Sequence, residues 1–386
     1  MDNLKAIVVG AGMGGLAAAI ALRQAGYRVE IYDRVSELRP AGAGISLWSN
    51  GVKVMNRLGL GKEIAQIGGP MKRMTYFDKS GKTLTDFSLD PLVEAVGQHP
   101  YPVARTDLQQ MLLTALGEEE VQLNSKCIAV EQTAESATAV FDTGHRATGD
   151  VVVGADGTHS TVREHVLGHP TQRRYAGYVN WNGLVKADEK LADKESWVIY
   201  VGNAQRASLM PVGGDRFYFF FDVPLPFERE PGDDVQAELS EHFKGWAEPV
   251  QNLISMIDAD QTNRVKIHDI EPLPAFVKGR VALLGDAGHS TTPDLGQGGC
   301  QAFEDAWVLA NSLLTTNLGV EDALKRYEEL RRDRTANIIL KARKRANMIH
   351  GKDLDRTKEW YENLAKENGD TIIGAISDLI LQGPMR

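Results

Sequence analysis

The chain has little of several things that would announce a function. It holds only two cysteines in 386 residues, Cys127 and Cys300, far apart and outside any CxxC pair. A disulfide framework and a local redox dithiol are both excluded, and a reducing cytoplasm is the expected compartment. No apolar run is long enough to span a bilayer, so no membrane partner is expected. The first strand pattern begins already at Lys5, so no signal peptide is expected. Positive charge is in deficit: 43 Lys and Arg stand against 52 Asp and Glu, a net charge of −9. That balance argues against nucleic acid or an anionic lipid surface as a partner. HExxH, GxSxG and clustered metal ligands are all missing, so neither a metal nor a serine nucleophile is expected. Internal repeats and low-complexity tracts are absent too. What remains is ordinary globular composition, 42% hydrophobic and 25% charged, in a chain too long for one core. Two closely packed domains are expected.

The most informative stretch is Lys5-Ala-Ile-Val-Val-Gly10-Ala-Gly12-Met-Gly14-Gly15. A β-branched run enters a glycine turn, and an alanine-rich helix leaves it. Gly10 allows the tight turn, Gly12 allows a pyrophosphate to approach the backbone, and Gly15 allows helix and strand to pack closely. The helix start offers free N–H groups and a positive dipole end to a phosphate. Asp33 closes the next apolar run, where an acid accepts hydrogen bonds from a ribose. Strand, helix, second strand and acid together read as an adenine dinucleotide site.

Further along, Arg39-Pro-Ala-Gly-Ala-Gly44-Ile-Ser46 is a small-residue loop suited to lie beside that site, and Asn50 is a candidate cap for a helix through Leu58. Residues 71–89 alternate as a β excursion. Arg105 opens a helix at the end disfavoured for a cation, which points either to an anionic partner or to a solvated side chain. Short strands near 121–122, 126–131 and 138–141 suit a meander over the sheet, with Cys127 as a buried small hydrophobe. A second landmark is Val151-Val-Val-Gly154-Ala-Asp156-Gly157, leading to Ser160 and a helix with Arg163. It puts a carboxylate at the end of a parallel strand, where open α/β sheets bind ligands.

From about 172 to 270 the chain turns aromatic. Four successive strand patterns contain Asn180, Arg206 and Tyr218, and helices are expected near 233–243 and 249–259. A third landmark follows, Val281-Ala-Leu-Leu-Gly285-Asp286. It runs into Pro293-Asp294-Leu-Gly296-Gln297-Gly298-Gly299, a second cradle before a long helix starting near Gln301. Helix continues to about Asn347. The basic run at 341–345 reads as a solvated or docking face.

The ordered set of three landmarks resembles the class A flavoprotein monooxygenases, the para-hydroxybenzoate hydroxylase-like family, over roughly the whole chain. The resemblance implies an α/β fold, α+β overall. It consists of a Rossmann-type FAD-binding domain (1–70, 101–171, 273–350), an inserted, mainly antiparallel substrate domain (71–100, 172–272) and a C-terminal helical extension (351–386). It implies bound FAD, reduced by NADH, with contacts from Gly10, Gly12, Gly14, Gly15, Asp33, Arg34, Ser46, Arg105, Cys127, Asp156, Asp286, Gly296, Gln297, Gly298 and Gly299. No second nucleotide-binding unit is visible, which also suits a family whose nicotinamide visits without a domain of its own.

Within that family, the segments around Asn180, Arg206, Tyr218 and Asp294, with 341–345 and His350-Gly-Lys-Asp353, are similar to the urate-hydroxylating branch. The resemblance implies that O2 adds to the reduced flavin at C4a and that the terminal peroxide oxygen goes to C5 of urate, giving 5-hydroxyisourate, in purine catabolism. Arg206, Tyr218 and Asp294 would be catalytic, and Asn180, Arg206, Tyr218 and Gln297 would bind substrate. Arg206 suits anion stabilisation through paired planar donors rather than base chemistry. Asp294 could orient Arg206, assist proton movement or cap the next helix. The rival is the same fold acting on a phenol such as a hydroxybenzoate, and a second rival is a flavin-binding redox sensor without turnover.

Overall fold

The computed structural model describes residues 4–38, 43–117, 120–232, 234–315 and 319–385. Part of the small-residue loop, Arg39 to Gly42, lies outside the described residues, as does Asp233. The N-terminal run forms the strand Lys5–Val9, all but its first residue buried. It lies at the centre of a six-stranded sheet, between Val151–Gly154 and Arg28–Tyr32, both parallel to it. Val281–Leu283 extends the sheet in parallel on one side and Val121–Gln122 on the other, while Val277–Lys278 adds an antiparallel edge. Such strands, buried on both faces, read as unbroken apolar runs because helices cover them. The helices Met13–Gln24 and Gly298–Leu313 pack together on the sheet. Gly14 keeps that contact close: a Cβ there would come within 3.1 Å of the Ala302 Cβ.

The expected meander is different. Val121–Gln122 belongs to the main sheet. A separate antiparallel sheet is built from Cys127–Gln132, Ala137–Phe141 and Arg146–Gly149, the last strand having been missed. Four residues with two exposed positions carry too weak an alternation to be read as a strand.

The second sheet has seven strands, in the order Asn263–Ile270, Arg173–Lys186, Arg216–Pro224, Gln205–Val212, Ser196–Gly202, Arg73–Asp78, Thr83–Ser88. All its pairs are antiparallel except Ser196–Gly202 with Arg73–Asp78. The run Phe217-Tyr218-Phe219-Phe220-Phe221-Asp222 shows why the sheet has two unlike faces. Period-2 alternation sends Phe217, Phe219 and Phe221 to one side, where they are fully buried against the helices Val235–His242 and Glu248–Met256. Tyr218, Phe220 and Asp222 go to the other side. The long helix Val320–Ile349 then runs back across the molecule and is followed by Leu354–Leu364 and Asp370–Leu381, the last packed against Asp90–Val96. Among the described residues no helix is long and apolar enough to cross a membrane.

Candidate active site

The three landmarks, far apart in sequence, end at one edge of the first sheet because their strands are parallel neighbours. At the first, Gly10 has φ +106°, and a Cβ on it would sit 2.3 Å from the Ala155 carbonyl oxygen. A Cβ on Gly15 would sit 1.9 Å from the Gly10 carbonyl oxygen. Both glycines are thus required by the chain's own packing. Gly12 is not: it is the N-cap of Met13–Gln24 with φ −67°, and a Cβ on it meets no atom within 4 Å. Glycine there leaves open room in front of a helix start that has no side-chain cap. Asp33 reaches the same turn. One carboxylate oxygen accepts from the Ala11 N–H at 2.6 Å and the other from the Val35 N–H at 3.1 Å. Two of its roughly four acceptor positions stay available for hydroxyl donors. The Asn124 and Ser125 N–H groups bond back to Val35 and Asp33, which brings the backbone before Cys127 alongside. Burial pushes the Cys127 thiol up to about 12, so it stays a neutral packed group. Arg34 is exposed near His159, whose pKa is lowered by burial and then by Arg173 and Arg34.

The second and third landmarks are joined by Arg163. Its guanidinium donates to the carbonyls of Thr158 (2.7 Å) and Ala287 (3.1 Å). Asp156 is spent locally: it accepts from the Ser160 hydroxyl at 2.5 Å and from the Thr161 and Val162 N–H groups, which fixes the start of Thr161–Leu167. Asp286 stays exposed, 3.5 Å from the Thr158 hydroxyl. Arg105 is within electrostatic reach of Asp286 and Tyr218. Burial lowers its pKa, and those two groups oppose the shift. The cradle at 296–299 closes this edge. Gly296 has φ +63°, and a Cβ on it would meet Ser46 and Trp48. The buried Trp48 Nε1, Thr291 Oγ1 and Thr292 Oγ1 have no partner among the described residues. Orphaned buried polar atoms around a glycine cradle fit a polar ligand rather than a closed core.

The unlike face of the second sheet turns toward this edge. Cross-strand register aligns Asn180 and Arg206 with Asp222, and Leu184 and Met210 with Tyr218. Asn180, Arg206, Tyr218 and Asp222 therefore share one face. Gly44 lies flat on the Tyr218 ring, where a Cβ would approach to 2.3 Å, and the Ala43 N–H bonds to the Asn182 side chain at 3.2 Å. Arg206 is 8% exposed and sits between two acids. Its Nε donates to Asp222 at 2.9 Å and its Nη2 to Asp294 at 3.0 Å. Nη1 has no hydrogen bond among the described residues. Burial opposes the Arg206 charge, but Asp222 and Asp294 outweigh it and drive the pKa up. Asp294 also accepts from the Tyr178 hydroxyl at 2.8 Å and lies 3.3 Å from His350 Nε2. Burial would raise its pKa, yet His350, Arg206 and Tyr178 hold it well below the carboxylate range. The half-buried Tyr218 hydroxyl has no hydrogen bond among the described residues, and burial with Asp222 keeps it protonated.

One sequence expectation changes here, at Asn50. Gln297 is held in a buried network. Its side-chain oxygen accepts from Asn50 and Gln301, each at 3.0 Å. Asn50 is no cap, because it lies inside Ser49–Arg57 and donates to Glu304 at 2.7 Å. Sequence reasoning also missed Asp222, Tyr178 and the fully buried Arg331, which bridges Glu304 and Asp305 at 2.6 Å each. Only Asp222 carried a signal, as the acid that breaks the Phe-rich strand on its polar side.

Residues 3–342 match the family described as FAD binding domain. A FAD-dependent urate hydroxylase of Klebsiella pneumoniae subsp. pneumoniae is 52% identical over 384 residues, covering 99% of this chain and 100% of that protein. A protein of the same name from Mycolicibacterium vanbaalenii is 49% identical over 387 residues, with 99% and 98% covered. The crystal structure of Klebsiella pneumoniae HpxO complexed with FAD and uric acid superposes with a TM-score of 0.97 at 51% identity, covering 99% of this chain and 98% of that one. The chain belongs to the FAD-binding-domain family, within its flavoprotein monooxygenase class.

Proposed function

We propose that this protein is a FAD-dependent urate hydroxylase that uses NADH and O2 to convert urate to 5-hydroxyisourate. Bound FAD supplies the redox chemistry: it takes a hydride from NADH and activates O2, one oxygen going to C5 of urate and the other to water. In this reading Gly12, Gly14, Asp33, Ser46, Arg105, Asp286 and the backbone at 296–299 hold the cofactor. Residues 71–100 and 172–272 form the substrate domain, 1–70, 101–171 and 273–350 the cofactor domain, and 351–386 an extension.

The observation that carries the reading is Arg206. A buried guanidinium clamped by two acids keeps one nitrogen without a hydrogen bond, on the sheet face it shares with a protonated Tyr218. That pair suits an anionic, carbonyl-rich ring. The free Nη1 donates to a urate oxygen and stabilises the negative charge that makes the ring electron-rich. Tyr218 donates a second hydrogen bond that fixes the ring's rotation. Asn180 has one N–H and one lone pair left after bonding Asp222 and Asn182 at 2.7 and 2.8 Å. It can meet either edge of a purine. Asp294 orients Arg206, because its low pKa makes it a poor proton acceptor at neutral pH. The full-length urate hydroxylase relatives support urate over a phenol.

The test is titration of the FAD-loaded protein with urate, followed by the flavin absorbance. Urate should perturb the spectrum saturably. Arg206→Gln should weaken binding roughly tenfold to a hundredfold, and Tyr218→Phe by less. A wild-type spectrum perturbed by 4-hydroxybenzoate and indifferent to urate would refute the reading.

A further inference from the structure

We propose that His350 is a positioning residue for the urate site, holding Asp294 and the turn that carries Arg206 in one geometry. The inference rests on the function proposed above. His350 follows the last residue of Val320–Ile349 and is buried. Each of its ring nitrogens faces an oxygen. Nε2 lies 3.3 Å from Asp294 Oδ1, and Nδ1 lies 3.4 Å from the Ala204 carbonyl oxygen. The ring stacks on Tyr178 with centroids 3.8 Å apart and planes 22° from parallel, and Tyr178 bonds the other Asp294 oxygen. One imidazole thus touches both supports of Arg206: the acid that bonds its Nη2, and the backbone two residues before it.

The turn has a reason to need support. Asn203 and Ala204 join Ser196–Gly202 to Gln205–Val212 with φ of +52° and +61°. Side chains with a Cβ disfavour that region, and Ala204 has no polar group to compensate. Both backbone polar groups of Ala204 are instead met by residues beyond the long helix. Its carbonyl faces His350, and its N–H donates to the Tyr361 hydroxyl at 3.0 Å. Gly351 lies so close that a Cβ on it would come within 2.8 Å of the Ala204 Cβ. The C-terminal segment therefore closes on the Arg206 turn from outside and reaches Asp294 through His350. Nothing in the redox chemistry calls for this histidine. Its contacts are with the groups that aim the guanidinium, so its effect should fall on urate.

The test separates the ring from its nitrogens. His350→Phe keeps the stack on Tyr178 and removes both polar contacts, whereas His350→Gln keeps N–H donors for those oxygens. Both are loaded with FAD and titrated with urate, following the flavin spectrum, and KM and kcat are then compared. His350→Phe should bind FAD normally and raise the urate Kd and KM about tenfold, with KM for NADH unchanged, while His350→Gln should recover most of the loss. Urate binding by His350→Phe within twofold of wild type, or equal losses in both variants, would overturn the proposal. Should His350→Phe not fold, Tyr361→Phe decides. It should raise the urate Kd about threefold, and an unchanged value would count against the turn-clamp account. A wild-type protein that ignores urate would remove the substrate reading and this inference together. Wild-type binding with an indifferent His350→Phe would remove only this one.

Discussion

Gly12 offers a way to ask whether the first turn is shaped for a ligand. At Gly15 an added methyl would lie 1.9 Å from the Gly10 carbonyl oxygen and 3.3 Å from the Ala155 Cβ, both fixed parts of the turn. Gly15→Ala must therefore push backbone against backbone, at a cost of roughly 1–3 kcal/mol or more before any cofactor is added. At Gly12 the same methyl meets no protein atom within 4 Å, and φ is −67°. Alanine there loses some N-cap preference, about 0.5–1 kcal/mol. It also makes the unfolded chain less free, which offsets about 0.4–1 kcal/mol. The apoprotein should be indifferent to Gly12→Ala within about 0.5 kcal/mol. The holoprotein should not be, since the methyl stands where phosphate oxygens approach the helix start. A loss of about 1.5–3 kcal/mol, or roughly tenfold to a hundredfold in FAD affinity, follows from displacing one or two charge-assisted bonds. The assay is thermal unfolding of both apoproteins, with FAD titrations by flavin fluorescence. Wild-type FAD affinity in Gly12→Ala would refute the reasoning, and so would destabilised Gly12→Ala apoprotein.

Other consequences follow from the buried charges and thiols. Arg331→Met leaves Glu304 and Asp305 buried without their shared cation, so about 3–5 kcal/mol of stability should be lost, read by denaturant unfolding. A neutral effect would show that Arg334 and His289 suffice. Asp294, Glu304 and Asp305 are all held below the carboxylate range, despite burial that pushes them up, by His350 and Arg206, by Arg331 and Arg334, and by His289 and Arg331 respectively. A depressed folded pKa stabilises above the unfolded value and loses that contribution as pH falls toward the folded one. The melting temperature should hold near neutrality and drop below about pH 4, and a rise on acidification through that range would contradict the assignment. Cys127 and Cys300 are buried, with thiols pushed up to about 12. A disulfide-exchange reagent should leave both unmodified until the protein unfolds, whereas rapid native-state reaction at either would disprove that burial.

The glycine-turn edge of the first sheet was legible in sequence because its signals are local. Gly10, Gly15, Asp33 and the Gly285-Asp286 pair announce themselves within a strand, a turn and a helix start. The aromatic run around Tyr218 likewise read as a strand. What stayed hidden depends on contacts between distant residues of ordinary type. Asn50 reads as a helix cap by position, but bonds Glu304 across the core. The local bonds of the Asp156 carboxylate, which close the start of its own helix, were not legible either. Arg331 sits in a helix rich in Arg and Lys, where nothing local separates a buried guanidinium from a solvated one. His350 has no neighbours in sequence that hint at Asp294 or Ala204. Its meaning comes only from how the long helix crosses the molecule.

The most direct test of the account is stoichiometry. The FAD-loaded protein is given NADH in air-saturated buffer, with urate and then with 4-hydroxybenzoate, while NADH, O2 and the ultraviolet absorbance of urate are followed together. The account predicts that urate accelerates NADH oxidation and disappears one for one with NADH and O2, with little peroxide, and that the phenol does neither. Urate that persists while NADH and O2 are consumed, or faster coupled turnover on the phenol, would contradict it.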